Sequence, residues 1–241
     1  MRAVRLVRLC LHFLAGLATV LFLFPAWSQA RRRHAILRWS RRLLEVAGLK
    51  LHYQDLPDPF PSRCLLVLNH ISWLDIFLVD AVHPAMFVAK SEISRWPLAG
   101  TLVTRAGTLY IEKGSRKAAH RANDRIAAAL TAGSLVACFP EGTTSEGDGV
   151  GRFHGALFQP AIDAQAMIQP VALRYTDRHG RRSKACGYVG EESLMESVWK
   201  IVSARSLVGE MRFLPVIDAT GANRRVLAQQ AQAAIEGSLT R

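Results

Sequence analysis

The pattern of apolar and polar positions divides the chain at Gly48. Before it, Leu9 to Trp27 run without a formal charge, with His12 as the main polar interruption. Those 19 residues approach the length of about 20 needed to cross a bilayer core. Arg2, Arg5 and Arg8 precede the run, and Arg31, Arg32, Arg33, Arg38, Arg41 and Arg42 follow it. Over residues 30–47, Ile36, Leu37, Leu43, Leu44 and Val46 form an apolar stripe with Trp39 nearby, while six arginines occupy much of the rest. This predicts a basic amphipathic helix that ends at Gly48.

After Gly48 short apolar runs alternate with helical periodicity. Strands are predicted at Cys64–Leu68, Met86–Ala89, Thr108–Ile111, Leu135–Phe139, Ile168–Leu173 and around Met211–Val216. Helices are predicted at Trp73–Val82, Ser91–Thr104 (interrupted at Pro97), Arg116–Thr131 (ending at Gly133), Ala156–Ala166, Leu194–Ala204 and near Asn223–Glu236. The alternation predicts a single α/β domain with a mixed, largely parallel sheet flanked by helices. The expected organisation is an N-terminal membrane anchor over residues 1–29, a basic amphipathic helix at the membrane surface over 30–48, and an α/β domain over 49–241.

Charge sharpens the picture. The chain carries 31 Lys and Arg against 19 Asp and Glu. Residues 1–50 hold ten basic residues and one acid, Glu45, so the folded body is nearly neutral. A nucleic-acid binder would carry its charge on the body, so a membrane is the expected partner and nucleic acid is not. Ser28-Gln29-Ala30 offers a signal-peptidase-like site, but three arginines directly after it oppose export. The heavier positive flank lies downstream, which predicts a retained anchor, spanning or dipping, with the body on the cytoplasmic face of the inner membrane. Cys10, Cys64, Cys138 and Cys186 are scattered, with neither a disulfide framework nor metal-ligand spacing.

Three constellations carry candidate chemistry. Asn69-His70-Ile71-Ser72-Trp73-Leu74-Asp75 follows an apolar run, where sites of open α/β sheets fall. With His70 in the turn and Asp75 in the first helical turn, capped by Ser72, the carboxylate would fix the imidazole tautomer and leave the other nitrogen as a base. There is no G-x-S-x-G nucleophile box, so the pair suits activation of an acceptor hydroxyl. Phe139-Pro140-Glu141-Gly142-Thr143-Thr144-Ser145 makes a tight loop expected to project a carboxylate and hydroxyls. Between them, Gly107, Thr108, Lys113 and Arg116 lie on a segment whose two cations could hold an anion at a helix start.

In this order and spacing the three blocks resemble the bacterial 1-acyl-sn-glycerol-3-phosphate acyltransferase (lysophospholipid acyltransferase) family, from about Leu66 to Leu173. The resemblance implies transfer of a fatty acyl group from acyl-CoA or acyl carrier protein to a lysolipid hydroxyl, with no cofactor or metal. It implies His70 as general base and Asp75 as its support. Asn69, Ser72, Gly107, Thr108, Lys113, Arg116, Glu141, Gly142, Thr143 and Thr144 become candidate substrate-binding residues. The family's third box commonly has arginine where this chain has Thr144, and Lys113 stands where arginine is usual. Both changes remove a bidentate guanidinium suited to phosphate. The box here also resembles the subgroup that acylates lyso-ornithine lipids. A non-enzymatic basic lipid-binding protein and a secreted hydrolase are the competing readings.

Overall fold

The computed structural model describes residues 2–112, 116–204 and 206–240. Lys113 lies outside the described residues, as does the side chain of Arg116. The chain folds into one α/β domain around an eight-stranded sheet, with helices on both faces. The strands are β1 (Leu49–Gln54), β2 (Cys64–Leu68), β3 (Met86–Lys90), β4 (Leu109–Ile111), β5 (Leu135–Cys138), β6 (Met167–Thr176), β7 (Leu207–Phe213) and β8 (Ile217–Asp218). They lie in the order β1-β7-β6-β2-β5-β3-β4, with β8 against the start of β6. From β6 to β4 every pairing is parallel; β7 and β8 run antiparallel to β6, and β1 runs parallel to β7.

Strand β2 shows why the sheet must be covered twice. All five residues are buried. Leu66 and Leu68 enter one core with Leu78 and Leu173, while Leu65 and Val67 enter the other with Ile126, Leu130 and Phe158. An unbroken apolar run is the signature of a strand buried on both faces. The first core lies under α1 (Arg2–Ala18), α2 (Gln29–Ala47), α3 (Asp75–Asp80) and α7 (Leu194–Ser203). The second lies under α5 (Arg116–Thr131), α6 (Gln159–Asp163) and α8 (Arg224–Leu239). The remaining helix, α4 (Ala99–Arg105), precedes β4.

The N-terminal helix is docked on the domain. It begins at Arg2 and continues through a π-helical turn (Thr19–Leu23) and a 3-10 turn (Phe24–Ala26). Leu9, Gly16, Val20 and Phe24 are buried along one side. Gly16 lies so close to the Trp39 indole that a Cβ there would meet its ring at 2.5 Å. His12 stacks on Trp39 at 4.8 Å, and Arg5 Nη1 donates to the carbonyls of Val202 (3.4 Å) and Ala204 (3.1 Å) at the end of α7. Val4, Val7, Leu11 and Leu14 form an exposed apolar stripe on the opposite side. Helix α2 ends at Gly48 in the left-handed conformation, as the sequence predicts.

Several expected boundaries move. Strands β1 and β8 are additional to the predicted set, β7 lies earlier than Met211–Val216, and the helix expected at Trp73–Val82 is confined to Asp75–Asp80. The helix expected at Ser91–Thr104 is split into a short 3-10 turn (Ser91–Arg95) and α4, and Trp96 between them is 44% exposed.

Candidate active site

The site forms where β2 and β5 end, at the carboxyl edge of the parallel strands. Asn69 leaves β2 and is locked by a reciprocal pair to β6: its Nδ2 donates to Leu173 O (3.0 Å) and its Oδ1 accepts from Leu173 N (2.7 Å). This buried amide sets the direction in which the next residue leaves the sheet. His70 follows, one-fifth of its side chain exposed, with Nδ1 2.8 Å from Asp75 Oδ2. Asp75 is fully buried as the first residue of α3. Its Oδ2 also accepts from the amides of Ile71 (2.8 Å) and Ser72 (3.0 Å), and its Oδ1 accepts from Tyr175 Oη (2.6 Å). Ser72 does not cap α3 by its side chain as expected. Its carbonyl receives Asp75 N, and its hydroxyl receives Leu74 N.

A carboxylate supplied with four donors is fixed in place despite its burial. With Nδ1 donating to that carboxylate, a neutral imidazole carries its free lone pair on Nε2, on the side of the ring away from Asp75. The ring plane is set by Phe139, whose centroid lies 3.9 Å away with an interplanar angle of 13°, and Phe139 in turn stacks on Phe87 at 6.1 Å. The arrangement can abstract a proton from a hydroxyl placed at Nε2.

Glu141 points inward. It is 8% exposed; Oε1 accepts from His70 N and Oε2 from Gly151 N, both at 2.7 Å. Burial pushes its carboxyl upward, opposed by those amides and by His70. The carboxylate thus ties the turn after β5 to the turn after β2, with the backbone of His70 between them. Gly142 has φ +71°, and its α-carbon faces the His154 ring, with 3.6 Å available to a Cβ. A side chain there would be strained by the backbone alone.

The other expected site residues are dispersed. Thr143 is exposed, while the Thr144 hydroxyl donates to Tyr188 O and so fastens the 186–193 loop. Tyr188 N donates to Ile71 O at 3.0 Å, and Ser145 N to His70 O at 2.8 Å, so this loop and the Glu141 turn both clamp the His70 turn. Gly107 (φ +100°) and Thr108 sit at the end of α4, where the Thr108 hydroxyl donates to Val103 O (2.7 Å). Thr108 lines an apolar cavity of about 100 Å³ between α1, α2, α3, α4 and β3. Phe87 lines that cavity and links it through Phe139 to His70.

Tyr175 escaped the sequence reading because the predicted strand stops at Leu173. Two further residues of β6, with period-2 alternation from the buried Leu173, would have placed it on the Asp75 face. Gly151 and the stacking face of Phe139 carried no local signal, since both act through residues distant in sequence.

This site on an α/β sheet defines a hydrolase- or transferase-like centre built on histidine and carboxylate without a nucleophile box. Residues 50–174 match the Acyltransferase family model, and the chain belongs to that family. It is 38% identical over 194 residues to 1-acyl-sn-glycerol-3-phosphate acyltransferase of Neisseria meningitidis serogroup B, covering 80% of this chain and 76% of that protein. It is 37% identical over 207 residues to lyso-ornithine lipid O-acyltransferase of Pseudomonas aeruginosa, covering 86% and 79%. The crystal structure of the 1-acyl-sn-glycerophosphate acyltransferase PlsC from Thermotoga maritima shares the fold, with a TM-score of 0.70 at 18% identity over 100% of this chain and 97% of that one. The protein is an acyltransferase of the lysophospholipid type.

Proposed function

We propose that the protein transfers a fatty acyl group from acyl-CoA or acyl carrier protein to the free sn-2 hydroxyl of 1-acyl-sn-glycerol-3-phosphate, giving phosphatidic acid. The observation that carries this reading is the His70–Asp75 pair at the end of β2, with Nε2 directed away from its carboxylate. Nε2 takes the hydroxyl proton as the oxygen attacks the thioester carbonyl. The tetrahedral intermediate then expels the thiolate, which recovers that proton from His70, so the catalyst is regenerated without an acyl-enzyme. Asp75 stabilises the imidazolium, and Tyr175 and the two amides hold Asp75. The thioester supplies the activation, so this chemistry calls on no resident cofactor or metal.

The apolar cavity behind Phe87 suits an acyl chain, lined as it is by Val20, Ile36, Ile76, Phe77 and Val103. Helix α1, held on the domain by Arg5 and Trp39, would lie in one leaflet by its Val4, Val7, Leu11 and Leu14 stripe, with the arginines of α2 at anionic headgroups. On this reading the catalytic edge works at the cytoplasmic face of the inner membrane, within reach of lysolipid.

A second acceptor, lyso-ornithine lipid, is favoured by Thr144. This position supplies no guanidinium, and its hydroxyl is committed to Tyr188 O. The test is thiol release from acyl-CoA and acyl carrier protein by the detergent-solubilised protein, with lysophosphatidate and lyso-ornithine lipid side by side. Turnover of lysophosphatidate supports the first reading. Turnover of lyso-ornithine lipid alone replaces it with the second.

A further inference from the structure

The cavity beside Phe87 is lined mostly by apolar residues. Of its polar lining residues, Thr19 and Thr108 spend their hydroxyls on backbone carbonyls, of Ala15 and Val103. Ser40 and Asp80 differ. Ser40 is fully buried in α2, and its Oγ has no hydrogen-bond partner among the described residues, not even the carbonyl one turn back that a helical serine ordinarily uses. Asp80, 6% exposed at the end of α3, accepts Ala85 N at Oδ1 (3.1 Å), and no bond occupies its second oxygen among the described residues. Both residues line the cavity, and α2 and α3 are tied one residue further along each, where Arg41 Nε donates to Ala81 O at 2.7 Å.

Leaving a hydroxyl and a carboxyl oxygen unpaired inside an apolar cavity is costly, so such groups are retained where something polar meets them. Burial holds the Asp80 carboxyl up at about 8, so near neutrality it keeps its proton and offers an O–H donor as well as an acceptor. Ser40 also offers both. A neutral wall of this kind suits a hydroxyl, itself donor and acceptor, and not an ion.

We propose that Ser40 and Asp80 form a polar subsite within the acyl cavity that selects a fatty acyl chain bearing a hydroxyl group on its hydrocarbon. The proposal rests on the reading of the cavity as the acyl site. A plain saturated chain entering it leaves both groups unpaired, whereas a chain with a hydroxyl at the matching carbon satisfies them. The hydroxylated chain can belong to the thioester donor or to the lysolipid acceptor.

The test compares kcat/KM for unsubstituted acyl-CoA with that for acyl-CoA of equal length hydroxylated at successive carbons. A second arm places the hydroxyl on the acyl chain of the lysolipid. The wild type should favour one hydroxyl position by about tenfold over the unsubstituted chain, in the arm that identifies which substrate occupies the cavity. In Ser40→Ala, and separately in Asp80→Ala, that ratio should fall toward one; the ratio is the readout, so a general loss of activity does not mimic it. The proposal is overturned if no hydroxyl position in either arm is preferred, or if the preference survives both substitutions. Failure of every thioester, hydroxylated or not and on CoA or acyl carrier protein, to turn over with any lysolipid would instead remove the reading on which the proposal rests.

Discussion

Replacing Tyr175 with phenylalanine isolates one contact of the Asp75 carboxylate. The substitution removes a single oxygen, the one that donates to Asp75 Oδ1 at 2.6 Å, and leaves a fully buried ring in its socket between β6 and α3. Asp75 keeps its bonds to Ile71 N, Ser72 N and His70 Nδ1, all of them on Oδ2. Its other oxygen loses a donor in a site that water does not reach. A hydrogen bond to a charged group is worth about 1.5–3 kcal/mol. If the carboxylate orients and stabilises the imidazolium, most of that loss falls on the transition state, and kcat should drop roughly 10- to 100-fold with KM nearly unchanged. The assay is steady-state thiol release with both substrates varied, alongside a thermal melt. Tyr175→Phe combined with His70→Ala should be no slower than His70→Ala alone, because the two act through one group. A variant that melts earlier but retains kcat within twofold would refute this reasoning and leave Tyr175 a packing residue.

Glu141→Gln keeps the shape of the brace but makes one of its two atoms a donor facing an amide. We expect a loss of about 1–3 kcal/mol in unfolding free energy together with lower kcat, checked by denaturant titration and turnover. Val7→Glu with Leu11→Glu places charge on the exposed stripe of α1 without touching its packed side. Co-sedimentation with anionic vesicles should fall at least tenfold while turnover of detergent-dispersed substrate persists. Asp80 has a folded value near 8 against an unfolded value near 3.8, so the native state binds the extra proton more tightly. Between those values its contribution to stability falls as pH rises, by at most about 1.4 kcal/mol per pH unit. Asp80→Asn should therefore flatten the decline in melting temperature between pH 5 and pH 8.

The sheet and its site were legible to different depths. Unbroken apolar runs such as Cys64–Leu68 identified the inner parallel strands, because burial on both faces leaves no polar position to blur the signal. The edge strand β1, Leu-Lys-Leu-His-Tyr-Gln, is mostly exposed and carries half its residues polar, so nothing local separates it from a connecting loop. The His70–Asp75 pair was readable because both partners lie in one turn. Tyr175 and Gly151 were not, since they reach Asp75 and Glu141 across 100 and 10 residues, through strand register and loop path. Glu141 was expected to project and instead faces inward, because the two amides left unpaired by the adjoining turns need an acceptor. The apolar N-terminal run was legible as a long helix, but its attachment to α7 through Arg5 rests on tertiary packing.

The central claim is that His70 deprotonates the acceptor hydroxyl. Its most direct test is single-turnover acyl transfer by His70→Ala beside the wild type, at saturating thioester and lysolipid, with folding matched by circular dichroism and melting temperature. A positioned base contributes roughly 10²–10⁴-fold. The account predicts a chemical step slowed by at least 100-fold with substrate binding retained. A folded His70→Ala protein that transfers acyl groups within tenfold of the wild-type rate would contradict it.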